Sequence, residues 1–218
     1  NISTKAYQEL IEHSNNSKGN QKSQSEIILG LPSDGKESHY ESLRFGVDNK
    51  VNSLRMFQAI MLIGTEMASN EYREKYGLKT MFRTIPGCLG NYKIFKKEHS
   101  IAEIEEIIIS SNTLSKEDYL ECRIMDLFIE TFYNNSIFEE IFEMLRALKI
   151  SPFDCLLFMN ENKDLYSEKI NKILKNFIFQ TTEDLYETFE EANAYVLSPE
   201  IINKYVGGEM GVNELLLN

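Results

Sequence analysis

The sequence predicts an α/β fold in which a short strand–helix segment leads into a mostly α-helical tail. Three observations carry this. Two short apolar runs end in turn formers, and helical periodicity follows each. From Ser115 onward nearly every stretch reads as helix. The charge divides at the same place: residues 1–98 hold 14 basic and 11 acidic side chains, whereas residues 99–218 hold 9 and 23. A near-neutral region and a strongly acidic one imply different surroundings.

The elements follow in order. Residues 4–14 place Ala6, Leu10 and Ile11 at helical spacing, with Ser3 or Thr4 as cap. Asn15 to Ser25 is rich in Asn, Ser, Lys, Gln and Gly and predicts a polar loop. Glu26-Ile27-Ile28-Leu29-Gly30-Leu31-Pro32 reads as a buried strand closed by turn formers. A helix from Lys36 to about Asn49 presents Tyr40, Leu43 and Val47 on one face. Ser53 to Ile60 is the second strand, and Gly64-Thr65 opens a helix to Tyr76, with Gly77 as C-cap. This alternation implies parallel strands joined by crossover helices, with ligand sites at the carboxyl edge.

Residues 78–100 read as irregular, and 101–109 fits either helix or strand. Ser115-x-x-Asp118 resembles a capping box ahead of an apolar stripe, Leu120, Ile124, Leu127, Phe128 and Phe132. Ser151-Pro152 is an N-cap followed by proline at the first helical position. Further helices are expected over 163–178, 182–194 and 199–205, the last stopped by Gly207-Gly208.

Composition narrows the chemistry. The chain has 218 residues and a formal net charge of −11. The acidic half repels phosphates, so no nucleic-acid partner is expected. No apolar run reaches the length of a membrane span, and no membrane partner is expected either. Cys88, Cys122 and Cys155 lie too far apart for a metal knuckle, and their odd count argues against a disulfide framework. A cytoplasmic, reducing setting follows. His13, His39 and His99 read as surface residues. No phosphate loop and no His-Glu-x-x-His is present. The residues alone point to the two strand ends, Gly30–Gly35 and Gln58–Thr65. There glycines permit close approach and helix starts favour an anion.

Glu26 to Pro32, then Leu54-Arg55-Met56-Phe57-Gln58, then Gly64-Thr65-Glu66-Met67-Ala68 resemble the later part of a radical S-adenosylmethionine (radical SAM) domain. The variety with an N-terminal cobalamin-binding domain is the most similar. Phe82-Arg83, Gly90-Asn91-Tyr92 and Asn112-Thr113-Leu114-Ser115 also resemble its continuation past the barrel. The resemblance covers about residues 1–133. It implies the C-terminal portion of a partial (β/α) TIM-type barrel over 1–100, followed by a helical region over 101–218. It implies S-adenosylmethionine and a 4Fe-4S cluster as cofactors of the parent protein, with cobalamin in one variety. The chemistry implied is radical cleavage or methyl transfer on an unknown substrate, with the cofactor carrying the difficult step.

The resemblance also implies cofactor contacts at Ile28, Gly30, Pro32, Met56, Phe57 and Gln58, with Ile28 packed on the adenine. Ser33-Asp34-Gly35 departs from the family's Gly-Glu-Thr, and Leu62-Ile63 precede Gly64 where the family has proline. The Cys-x-x-x-Cys-x-x-Cys loop that binds the cluster is missing. The chain is therefore expected to be a C-terminal fragment, inactive alone, whose first partner is the preceding part of the same polypeptide. The alternatives are a non-catalytic α/β-plus-helical interaction module, and another α/β enzyme binding a phosphate at the helix start after Pro32.

Overall fold

The computed structural model describes residues 4–16 and 22–210. The cap expected at Ser3 and the centre of the polar loop lie outside the described residues. In chain order the elements are α1 (Thr4–Asn16), β1 (Gln24–Leu29), α2 (Lys36–Asp48), β2 (Ser53–Gln58), α3 (Asn70–Tyr76), β3 (Lys79–Ile94), β4 (Lys97–Ser110) and α4 (Lys116–Phe128). A π-helical stretch, Ile129–Asn134, follows, then α5 (Glu139–Ala147), α6 (Pro152–Glu161), α7 (Glu168–Glu183), α8 (Phe189–Val196) and α9 (Pro199–Val206). Two compact units interleave along the chain. The first comprises 1–29, 34–57 and 117–171, and the second 30–33, 58–116 and 172–218. Neither follows the expected division at residue 100, through which β4 runs.

In the first unit, β1 and β2 are hydrogen-bonded neighbours. Ser53 N donates to Ser23 O at 3.1 Å, and Ser23 N to Asn52 Oδ1 at 2.8 Å, so the strands start side by side and run parallel. Parallel strands need a crossover, and α2 supplies it. Its start is fixed by Gly35 N donating to Ser38 Oγ at 2.9 Å. Gly46 lets α2 close on β2, because a Cβ there would come within 2.5 Å of Leu54 Cδ2. Tyr7 of α1 reaches the same side of the sheet, with its hydroxyl 2.9 Å from Ser25 Oγ. Leu29, Leu43, Val47, Leu54, Met125 and Phe153 are buried in this unit.

Asn134 holds β2 on the edge away from β1. Its Nδ2 donates to Leu54 O at 2.8 Å and its Oδ1 accepts from Leu54 N at 2.9 Å. Tyr133, beside it, donates its hydroxyl to Val51 O at 2.6 Å. Burial pushes that phenol up to about 12, against the opposing pull of Arg146. The wider π turn presents these consecutive residues to the same stretch of backbone. Ser151 caps α6, accepting from Asp154 N at 3.2 Å. Its hydroxyl also lies 2.8 Å from the Asp48 carboxylate at the end of α2.

In the second unit, β3 and β4 pair antiparallel as a long hairpin. Residues 59–61 lie against β4: Ile108 N donates to Ala59 O at 3.0 Å and Met61 N to Glu106 O at 2.8 Å. On β3, Phe82 and Tyr186 exchange both backbone hydrogen bonds at 2.8 Å. Ala59, Met61, Leu78 and Ile108 form a core under Tyr72 and Tyr76 of α3. The C-cap expected at Gly77 is present, with φ 61° and its N–H turned back to Arg73 O and Glu74 O.

Three sequence expectations need correction. The stretch 78–100 is ordered as β3 and the start of β4. Pro86 and Gly87 fall in one bulge, where residues 85–88 face Glu103 alone and Gly87 takes φ 79°, while Gly90 pairs with Ile101 in the ladder. The helix expected from Thr65 is divided: Glu66–Ala68 forms a short 3-10 turn and α3 starts at Ser69, whose hydroxyl accepts from Tyr72 N at 3.3 Å. Thr182 lies inside α7, and Thr188 caps α8. The class is α/β as expected, with the strands of the described residues in two two-stranded sheets. No described helix is long and apolar enough to cross a membrane.

The Asn134 clamp gives a direct test. Asn134→Ala strips partners from both backbone groups of Leu54, which is itself buried. Unfolding in urea should show a loss of about 1–3 kcal/mol, with Asn134→Asp intermediate because it keeps only the acceptor.

Candidate functional site

In the first unit, Ser25, Ile27 and Leu29 of β1 and Leu54 and Met56 of β2 lie on the helix-covered side, as strand alternation requires. The other face carries Glu26, Ile28, Arg55 and Phe57. Ile28 is 42% exposed and Phe57 46%. Of the residues implicated by the family resemblance, Ile28 and Phe57 thus share an uncovered face at adjacent strand ends. Met56 is half-buried on the opposite side.

Gly30, Pro32 and Gln58 belong to the second unit. Gly30 has φ 91°, a conformation that favours glycine, and a Cβ there would sit 3.3 Å from Ile108 O. The close approach it permits is to β4. Pro32 is half-buried in the turn that follows.

Gln58 is met by Arg83 of β3. Arg83 Nη1 donates to Gln58 Oε1 at 2.6 Å, and its Nε donates to Glu105 Oε1 at 2.6 Å. Arg83 and Glu105 are direct cross-strand partners, so the hairpin register itself places the charge pair. Asp184 lies within the same electrostatic environment. Burial raises its carboxyl, the neighbouring Glu183 adds to this, and Arg83 partly offsets both. Part of the guanidinium's donor capacity remains beyond these two bonds. The arrangement can orient a polar or anionic group, but it contains no nucleophile–base pair.

Glu106, the next residue on β4, points to the other face of the hairpin. Arg73 grips it as a fork, Nη1–Oε1 2.5 Å and Nη2–Oε2 2.8 Å, and the Thr80 hydroxyl bonds the same carboxylate. Burial raises this carboxyl, but the bonds from Arg73 and Thr80 outweigh it and hold it below the ordinary range. A lowered folded-state pKa contributes stability that is present above the unfolded value and is lost as pH falls through the folded one. Acid titration of the fold should therefore show a destabilisation below the ordinary carboxylate range. In Glu106→Gln that pH-dependent component should disappear from the denaturation midpoints.

The first unit holds a separate, buried ion cluster. His39 Nε2 lies 2.8 Å from Asp126 Oδ1, and Arg123 Nη1 lies 3.3 Å from Asp126 Oδ2. All three side chains are buried, and His39 Nδ1 has no hydrogen-bond partner among the described residues. The expectation that His39 is a surface residue is therefore overturned, whereas His13 and His99 are exposed. The signal was present: His39 precedes Leu43 by four positions and Val47 by eight, on the apolar face of α2.

Cys122 is buried in this unit, where burial, reinforced by Asp126, raises its pKa and keeps it a thiol. Reactive cysteines need the opposite surroundings, exposed and positive. Asp126→Ala should cost about 3–5 kcal/mol, because it leaves buried charge without its carboxylate. The triple apolar replacement His39→Leu, Arg123→Met, Asp126→Leu should recover most of that loss in the same denaturation assay.

No three His, Cys, Asp or Glu side chains among the described residues are grouped so as to hold a metal ion. Cys88 is exposed, Cys122 buried and Cys155 half-buried, and none is disulfide-bonded. No protein-family model matches the chain, and no curated protein matches it either.

Proposed function

We propose that this chain is the C-terminal part of a radical S-adenosylmethionine enzyme. In this reading β1, α2 and β2 are late elements of its barrel and the helices are a covering tail. The observation that supports it best is the uncovered face of β1 and β2. Parallel sheets are ordinarily covered on both faces, and a two-stranded sheet alone has little stability. Here one face carries Ile28 and Phe57, both more than two-fifths exposed, at the carboxyl edge where α/β folds bind ligands. Exposed apolar side chains at that edge suit the flat face of an adenine. The Gly-Leu-Pro turn after β1 and the positive φ of Gly30 are compatible with the same assignment.

The iron–sulfur cluster does not fit the described residues, whose cysteines are dispersed. In this reading its ligands and its reductive chemistry belong to the preceding part of the polypeptide, and this chain supplies binding surface and cover. With or without cobalamin, the chain alone is inactive.

Three measurements test the proposal. The gene product preceding Asn1 should encode a Cys-x-x-x-Cys-x-x-Cys loop, and its absence would overturn the assignment. The 218-residue chain, reconstituted anaerobically with iron and sulfide, should develop no cluster absorbance. The longer protein should develop it and should bind S-adenosylmethionine, with affinity lowered about tenfold or more by Ile28→Asp, as expected for loss of an apolar stacking surface. Unchanged affinity in that variant would remove Ile28 from the cofactor site.

A further inference from the structure

Every residue from Asn91 to Ile101, at the far end of the β3–β4 hairpin, is exposed. The last two pairs of its register are Lys93 with Glu98 and Ile94 with Lys97, which leaves Phe95 and Lys96 as a two-residue loop. Both take positive φ, 48° and 67°. That geometry is the one for which Asn-Gly is preferred, and a bulky aromatic there is strained. The strained aromatic is also unsupported: Phe95 is 96% exposed.

The apex and the two pairs behind it hold Lys93, Lys96 and Lys97 with a single glutamate, Glu98, across the ladder from Lys93, in a chain whose net charge is −11. Tyr92, Ile94 and Ile101 fall on one face of the ribbon with Lys97 and His99, and these three are each more than two-fifths exposed. An apolar tip flanked by cations thus closes the exposed end of the hairpin. Local strain of this kind concentrates where function needs the residue.

We propose that this hairpin tip docks on an anionic phospholipid surface. The Phe95 ring enters the interface, and the ammonium groups of Lys93, Lys96 and Lys97 stay level with the lipid phosphates while their stems lie along the apolar boundary. Two features favour a bilayer over a single-stranded nucleic acid. The apex is convex and carries one free aromatic ring. The next ring, Tyr92, is laid back over Gly90, where a Cβ would meet it at 3.3 Å, so no row of open rings exists for stacked bases. The inference revises the expectation of no membrane partner and is independent of the radical SAM reading.

The test is sedimentation of the 218-residue chain with vesicles of phosphatidylcholine alone and of phosphatidylcholine containing phosphatidylserine. Binding is expected only with phosphatidylserine and should weaken as salt is raised. The discriminating variant is Phe95→Asn with Lys96→Gly. It supplies the preferred turn residues, so thermal stability should rise. Vesicle affinity should fall about tenfold from loss of the ring and about fivefold more from loss of one charge. Lys93→Glu with Lys97→Glu should abolish binding without moving the melting temperature downward by more than a surface change does. Four outcomes overturn the proposal: no binding to anionic vesicles, equal binding to phosphatidylcholine alone, wild-type affinity in the Asn-Gly variant, or tip-dependent binding to a single-stranded oligonucleotide or a second copy instead.

Discussion

The backbone hydrogen-bond demand of β2 governs the organisation of this protein. A strand leaves donors and acceptors on both edges, and buried ones must be matched. In the first unit β1 takes one edge, while Asn134 and Tyr133 meet Leu54 and Val51 from the other. In the second unit the continuation at Ala59 and Met61 is matched by β4. The π-helical stretch acquires its meaning from the first requirement, since it turns consecutive side chains of one helix onto a strand. A side-chain amide here does the work of a neighbouring strand at a single residue, which is less than a full ladder would supply.

Charge is handled by two different routes. On the hairpin, Arg83–Glu105 and Arg73–Glu106 are largely buried pairs set by adjacent residues on opposite faces of β4. Arg83 also reaches Gln58, and Arg73 of α3 also reaches Thr80, so the pairs tie the hairpin to the end of β2 and to α3. The His39–Asp126–Arg123 cluster is buried between α2 and α4, where an ion group specifies an arrangement more than it stabilises it. The acidic excess of residues 99–218 lies mostly on exposed helical positions, as for Glu139, Glu140 and Glu190. The basic hairpin tip, by contrast, is a local inversion of that field.

Ile28 and Phe57 offer an open apolar face in the first unit, and Arg83 with Gln58 and Glu105 offers a fixed polar constellation in the second. The first suits a flat apolar ring, and the second suits orientation of a polar group. Neither contains the paired acid, base and nucleophile that protein-only covalent catalysis requires.

The sequence by itself determined the elements whose cause is local. The apolar run before Gly30, the capping of α6 by Ser151-Pro152, the left-handed Gly77 and the stop after α9 were all readable, because each depends on neighbours within a few positions. The stretch 78–100 was not readable: its glycines and proline signal a loop, and only pairing with β4 absorbs them, Pro86 and Gly87 into a bulge and Gly90 into the ladder. Gln58 was legible as a strand end but its partner Arg83 was not, since their contact crosses 25 residues. His39 carried helical phase with Leu43, yet its burial depends on Asp126, 87 residues away. Local conformational preference is written in adjacent residues. Whether a polar side chain is buried, and which edge a strand fills, is decided by distant segments that meet only in the folded chain.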